Sequence, residues 1–330
     1  MRGTHSQNRR DVSPTTLAVA ALVVCAAVIT IAVIWMGGSD DPVAEPPAAA
    51  EAGPRPWQVT LDLDAKAGYL VTAGVTDGRR QNLTVQDLAF SGRRDGVYGG
   101  EVTAFPPGTL DEGQFRAGEP VNDAFYLPAF VFPEHTAGDA KPWRTPAVGR
   151  PDPSGVWVVA YADPARATGG AAVDREDLLR LAAAVRIGPP RDLRMPLRLG
   201  SRLPAGLQLT YVRSPDQQID RRPSALGLSA PARRPSGAGV YAQVPAGLDV
   251  TVLIAPRDGA WDKRRATLTG ATKSAGLPAW YDEGKRQTVQ AERCVVTIDT
   301  ALPRAELDLL VEQMTIGDCT DPDSWIPPLS

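Results

Sequence analysis

Histidine is nearly missing from this chain: among 330 residues there are two. One of them, His5, lies in the short stretch ahead of a long apolar run. A Ser-His-Asp or Cys-His site needs an imidazole to take the nucleophile's proton, so outside that stretch any such site has to be built on His135, in the loop Phe132 to Thr136. No serine sits in a Gly-x-Ser-x-Gly elbow. The chain also lacks a Gly-x-x-x-x-Gly-Lys phosphate loop and a glycine-rich dinucleotide fingerprint between a strand and a helix. Cysteine is scarce too, at three residues, and a zinc site needs three or four ligands. Strong charge is the last absence. The net charge is −3, and the large C-terminal body is close to neutral, with no field to gather nucleic acid. The chain therefore offers no catalytic, cofactor-binding or metal site, and nucleic acid is not an expected partner.

What the chain has in plenty is apolar residues, 43% against 22% charged, as a core-burying protein should. Leu17 to Met36 is a run of twenty uncharged, almost wholly apolar residues. At about 1.5 Å per residue one helix of that length spans the roughly 30 Å of a bilayer core. Arg2, Arg9 and Arg10 precede it, and Asp40, Asp41, Glu45 and Glu51 follow it. By the positive-inside rule the N-terminus is cytoplasmic and the body extracytoplasmic. The run is longer than the roughly 7 to 15 residues of a secretory h-region, so a single-pass anchor in the cell membrane is expected.

The body repeats itself in order. Gly96-Val97-Tyr98 recurs as Gly239-Val240-Tyr241, Val102-Thr103 as Val250-Thr251, and Leu127-Pro128-Ala129-Phe130 as Leu277-Pro278-Ala279-Trp280. The apolar strand from Val156 to Tyr161 recurs as Cys294 to Ile298. A helix closes each copy, with Leu178, Leu181, Ala182, Val185, Ile187 and Gly188 matching Leu307, Leu310, Val311, Met314, Ile316 and Gly317. Apolar positions at i, i+3, i+4 and i+7 give each helix one stripe to bury on a sheet. Asp174 is placed to cap the first, Gly188-Pro189-Pro190 to stop it, and Pro303 to open the second.

The expected fold class is α+β: an N-terminal transmembrane helix followed by two tandem repeats of antiparallel strands, each closed by one helix. The boundaries are a cytoplasmic tail 1–16, the span 17–36, a Pro/Ala/acidic linker 37–56, a first repeat 57–190, a second repeat 191–320 and a C-terminal tail 321–330. Trp57 to Leu63 and Tyr69 to Val75 alternate apolar and polar residues, with Asp77-Gly78 as a turn. They read as a hairpin added to the edge of the first repeat, and the Leu-Pro-Ala element reads as loop.

Cys25 falls within the apolar run and acts there as a small apolar residue. Cys294 opens the last strong strand and Cys319 follows the last helix, so a disulfide between them would staple helix to sheet in an oxidising compartment. The acids Asp282-Glu283 and Asp174, Glu176 and Asp177 fit turn and helix-cap roles better than a carboxylate pair for glycoside hydrolysis. Arg79-Arg80, Arg93-Arg94, Arg221-Arg222, Arg233-Arg234 and Arg264-Arg265 fall in turns or loops, where they would bind anionic polymers if they met on one face. Trp143, Trp157, Trp261 and Trp280 could line a groove, although Trp157 and Trp280 occupy repeated core positions. Asn82-Leu83-Thr84 has the form of a glycosylation acceptor.

The segment Asp177-Leu178-Leu179-Arg180 to Ile187, followed by Pro196-Leu197-Arg198-Leu199-Gly200 and Leu203-Pro204-Ala205-Gly206-Leu207, resembles uncharacterised, single-pass membrane-anchored actinobacterial proteins with a duplicated α+β extracytoplasmic domain. The strand-then-helix ending more distantly resembles the outer sensory domains of anti-sigma-factor and lipoprotein type. The resemblance implies a membrane-anchored binding or sensing module for an envelope component, a partner protein or a lipid, and it assigns no functional residue. A cell-wall hydrolase and a lipid or lipoprotein carrier are the alternatives. The crease between the copies, near Leu197 to Leu209, is the place expected to hold a ligand.

Overall fold

The computed structural model describes residues 55–78, 80–88, 99–131, 144–162, 174–204, 206–215, 222–231, 244–245, 247–282 and 285–329. The apolar run 17–36 lies outside the described residues. Among the described residues no helix is long and apolar enough to cross a membrane. The body is mostly antiparallel β-sheet with few helices, an α+β fold.

The first half of the body contains β1 (Gln58–Leu63), β2 (Tyr69–Thr76), β3 (Gln81–Asp87) and β4 (Gly99–Phe105), then a short helix α1 (Glu112–Arg116). After it come β5 (Glu119–Val121), β6 (Ala124–Val131), β7 (Arg144–Pro151), β8 (Trp157–Ala162), the helix α2 (Arg175–Ala184) and β9 (Val185–Asp192). The second half runs β10 (Leu197–Arg198), β11 (Gln208–Pro215), β12 (Ser224–Ser229), β13 (Val250–Pro256) and α3 (Gly259–Arg265). It closes with β14 (Thr272–Ser274), β15 (Leu277–Asp282), β16 (Arg286–Gln290), β17 (Cys294–Thr300), α4 (Arg304–Glu312) and β18 (Thr315–Ile316).

Among the described residues fourteen strands form one sheet, in the order β14-β15-β16-β17-β13-β12-β11-β2-β3-β4-β8-β7-β6-β5. Strands β2 and β11 meet at its centre, with Val212 opposite Thr76, Arg213 opposite Val75 and Ser214 opposite Gly74. Outward from this seam both halves read in the same order. Register then sets the equivalences residue by residue. Val75 faces Asn82, which faces Thr103, which faces Val159; Arg213 faces Ala225, which faces Leu253, which faces Thr297. Val75 and Arg213 thus occupy equivalent positions and face each other, which puts a local two-fold axis through their pair.

Three expectations shift against this frame. Strand β4 aligns with β13 two residues further along, so that Val102 matches Val252 and not Val250. The Leu-Pro-Ala elements are strand, and they are not equivalent: Phe125 faces Gly149, Trp280 faces Thr288, and Ala124-Phe125-Tyr126 answers Ala279-Trp280-Tyr281. The displacement is five residues: β6 runs on to Val131, twelve residues before β7, whereas β15 ends at Asp282, three residues before β16, and β6 carries in addition a one-residue register slip between Leu127 and Phe130, where Pro128 has no N–H for the ladder. Lastly, β1 and β2 form no hairpin. Strand β1 pairs instead with β9, Leu61 opposite Ile187, and β10 pairs with β18, Leu197 opposite Ile316.

The closing helices are shorter than their apolar stripe suggests. Helix α2 is capped by Asp174, whose Oδ1 accepts from the Asp177 N–H at 2.8 Å, and it ends at Ala184. β-branched Val185 and Ile187 and the Pro189-Pro190 pair favour extended backbone, so the chain passes straight into β9. Helix α4 follows Pro303, which supplies no side-chain cap. Leu178, Leu181 and Ala182 pack against Val85, Val102, Val158 and Ala160, and Leu307, Leu310 and Val311 against Leu226, Val252, Ile254 and Ile298. The other face of the sheet carries Phe105, Phe115, Phe130, Trp157 and Tyr161 in one half and Trp261 with Trp280 in the other.

Candidate functional site

The seam is where the two halves leave space. An open cleft of about 420 Å³ lies there, within the range of small-molecule sites. Its floor is Val71, Ala73 and Gly74 of β2 with Leu83 of β3, and its sides are Ser214 and Pro215 of β11, the segment 191–194 that follows Pro190, and Pro322 with Trp325. The expected crease at 197–209 is not the lining: Leu197 and Leu199 are fully buried in the core, as is most of Leu209.

Each wall has a local cause. At Gly74 a Cβ would lie 2.6 Å from Leu193 Cδ2, so glycine lets Leu193 rest directly on the sheet. Register shifts between Val71 and Ala73, a bulge that opens the strand at the floor. The Ser214 hydroxyl donates to the Arg194 carbonyl, tying the link segment to β11. The far wall is built from the residues after 320. Met195 and Ile326 pair antiparallel and Leu199 pairs with Leu329, while the Trp325 indole donates to the Asp318 carbonyl at 3.0 Å. Cys294 and Cys319 are joined by a disulfide, which anchors this wall to β17.

The local two-fold exposes an asymmetry. Leu193 donates its N–H to the Trp57 carbonyl at 2.9 Å, and these two residues are equivalent under the register of β1 and β10. On the opposite side of the seam Trp57 stands where the cleft has Leu193, and Val212 where it has Gly74. Larger side chains occupy the equivalent ground there.

Two arginines mark the rim. Arg191 donates to the Leu61 carbonyl at 3.2 Å, and neither Arg191 nor Arg194 forms an ion pair among the described residues. Arg144, Arg198 and Arg202 likewise form none, whereas Arg80 pairs with Asp77, Arg150 with Asp123, Arg186 with Asp62 and Arg286 with Asp299. The nearby Asp192 carboxylate accepts from the Gln58 side chain at 2.9 Å.

Two further polar clusters are built differently. On the sheet face away from α2, Tyr161 Oη donates to Glu101 Oε2 at 3.0 Å, and Asn82 Nδ2 lies 3.1 Å from Glu101 Oε2 and 3.0 Å from Thr103 Oγ1. All four residues are at most 2% exposed. Charged and polar groups so placed have to satisfy one another, and this network holds strand register without presenting a group to solvent. It also removes Asn82 as a glycan acceptor in the folded chain. Burial pushes the nearby Tyr211 phenol well up.

The second cluster gathers on Asp308, midway along α4. Asp308 Oδ1 accepts from Ser274 Oγ at 2.5 Å, from Tyr281 Oη, and from Gln287 Nε2 at 3.3 Å. The Arg304 guanidinium stacks 4.1 Å from the Tyr281 ring centroid, as Arg175 does 5.4 Å from Tyr126 in the first half. Desolvation would raise the Asp308 pKa, but the Ser274 and Tyr281 hydroxyls with Arg304 and Gln287 outweigh it and hold the carboxyl below its usual range. Burial first, and then the bond to Asp308, raises Tyr281. A depressed folded pKa means that the stabilisation from Asp308 is full above the unfolded value of about 4 and is lost as pH falls through the folded one. Asp308→Asn is therefore expected to lower stability at neutral pH by about 1 kcal/mol. The difference from wild type should shrink in acid, as read from denaturant melts at neutral and acid pH.

The remaining sequence candidates do not converge. Trp157 stacks 5.6 Å from Phe115, and Trp261 meets Trp280 edge-on at 5.7 Å, so they are packing residues of separate clusters. Arg264 and Arg265 are exposed at the end of α3. Asp174 is spent on its cap and Asp177 pairs with Arg180. His5, His135, Trp143, Glu283, Cys25, Arg79, Arg93, Arg94, Arg221, Arg233 and Arg234 lie outside the described residues, as do the Gly-Val-Tyr elements. Among the described residues no three His, Cys, Asp or Glu side chains gather as a metal site would need. Sequence reasoning missed Arg191, Arg194 and Trp325; the one available signal was a pair of arginines around Asp192 and Leu193 with no acid a helical turn away. The chain matches no family model and no curated protein.

Proposed function

We propose that this chain is a membrane-anchored, extracytoplasmic binding or sensing module without catalytic activity, whose ligand is an envelope component held in the seam cleft. In this reading the apolar run 17–36 is the anchor, and the body is a tandem duplication of one α+β unit fused through β2 and β11. The observation that carries it is the cleft itself, open on one side of the local two-fold while Trp57 and Val212 occupy the equivalent ground on the other. A symmetric duplication needs no such difference for stability, and concave, largely apolar ground with a few polar groups is what a small-ligand site requires. The test is in-cell crosslinking and recovery of the full chain beside a Ser214→Trp variant. Specific envelope material recovered with the wild type and lost with the variant supports the reading. Equal recovery by both places the binding surface elsewhere.

A further inference from the structure

We propose that the outer face of α4 is an interface between two copies of this chain, paired antiparallel about a two-fold axis. The duplication supplies the comparison. In the first half the ground between α2 and the end of β2 is ionic: Arg180 Nε donates to the Tyr69 hydroxyl at 3.0 Å, and the guanidinium pairs with Asp87 at 3.0 Å and Asp177 at 2.6 Å. The registers of β2 with β3 and of β11 with β12, and the matched helices, make Leu309 the equivalent of Arg180, Leu207 of Tyr69 and Ala230 of Asp87. Three members of an ion network are thus replaced together by apolar residues, and Ala305 stands where α2 has Glu176. Burial does not account for the exchange, since Leu309 is 56% exposed and Ala305 is exposed beside it. Leu88, exposed at the end of β3, adjoins Asp87 and belongs to no such stripe.

Contiguous exposed apolar ground marks a contact surface, and this stripe fits itself. Ala305 and Leu309 lie one turn apart on the same side of α4, with exposed Arg304 at one end and exposed Glu312 at the other. A second α4 turned end for end sets Leu309 over Ala305 twice, large on small, and brings Glu312 to the Arg304 end. Such reciprocal contacts are what a two-fold axis generates. Glu312 forms no ion pair among the described residues, and Arg304 pairs there only with Asp308 of its own helix, at 3.7 Å. The first half offers no equivalent face, because Arg180 is held by Tyr69, Asp87 and Asp177. One pair of short helices is at the small end of specific interfaces, so the dimer is a weak one.

The test is sedimentation of the full chain in a mild non-ionic detergent, beside A305E and L309R, which put the first half's own residue types on α4. The wild type is expected to dimerise with a Kd of about 100 μM or below. Each substitution should weaken the dimer about ten-fold or more by setting a charge against an apolar partner. Both positions are exposed, so an unchanged melting temperature checks that the fold is intact. An equal mixture of the two variants should recover most of the loss, since the introduced carboxylate of one copy then meets the introduced guanidinium of the other. A wild type that stays monomeric at such concentrations, or a dimer that neither variant weakens, overturns the interface. A loss that mixing does not recover overturns the antiparallel pairing of Ala305 with Leu309.

Discussion

Replacing Cys294 and Cys319 together by serine is expected to remove about 3.5 kcal/mol of stability, the chain-entropy value for a loop of their 25-residue separation. For a folded body of this size that lowers the melting temperature by roughly 6 °C. Both cysteines are buried, at 0% and 1% exposure, so reductant acts on the native protein only through opening of the last segment. The bond joins the first residue of β17 to the stretch that carries Trp325 to the cleft. Its loss should therefore be felt first between residues 317 and 329, as faster amide exchange ahead of global unfolding. The first half has Val156 where the second has Cys294, and it needs no bridge. Calorimetry of the two forms decides the matter: an unchanged melting temperature would mean that the tail is held by its pairing with Met195 and Leu199 alone.

Leu178→Ala and Leu307→Ala should each cost about 2–5 kcal/mol, the range for truncating a fully buried leucine. The two side chains are 0% and 1% exposed, at the same position of α2 and α4. They belong to different clusters, one on each half of the sheet. Equivalent positions predict comparable losses, and the absence of shared partners predicts that the double variant adds them to within about 0.5 kcal/mol. Denaturant titration of the four proteins measures this. Strong non-additivity would contradict two separate helix-on-sheet cores.

What the chain disclosed before its structure follows from where the signals are local. Helical periodicity is read over ten residues, so Leu178 and Leu307 align on sequence and hold the same place in α2 and α4. The apolar strand at Val156 and Cys294 aligns for the same reason, and the cysteine spacing named its bond. The four-residue match at Leu127 and Leu277 misled, because β6 extends to Val131 and β15 only to Asp282, which leaves Phe125, and not Phe130, equivalent to Trp280. Period-two alternation identified β1 and β2 as strands but carries no information on partners, and their partners are β9, and β3 with β11. The cleft was the least legible part. It arises from a shared seam, from Gly74 and Leu193 opposed to Val212 and Trp57, and from a C-terminal segment that reads as a tail until Ile326 pairs with Met195. None of these is a motif, since each depends on residues far apart in the chain.

The most direct test of the seam as a binding site is amide hydrogen exchange of the full chain, with and without a lipid extract of the bacterial envelope. The account predicts protection confined to residues 71–74, 191–194, 214–215 and 322–326, four stretches that only the fold brings together. Protection elsewhere on the sheet, or none in these four while the extract binds, would contradict it.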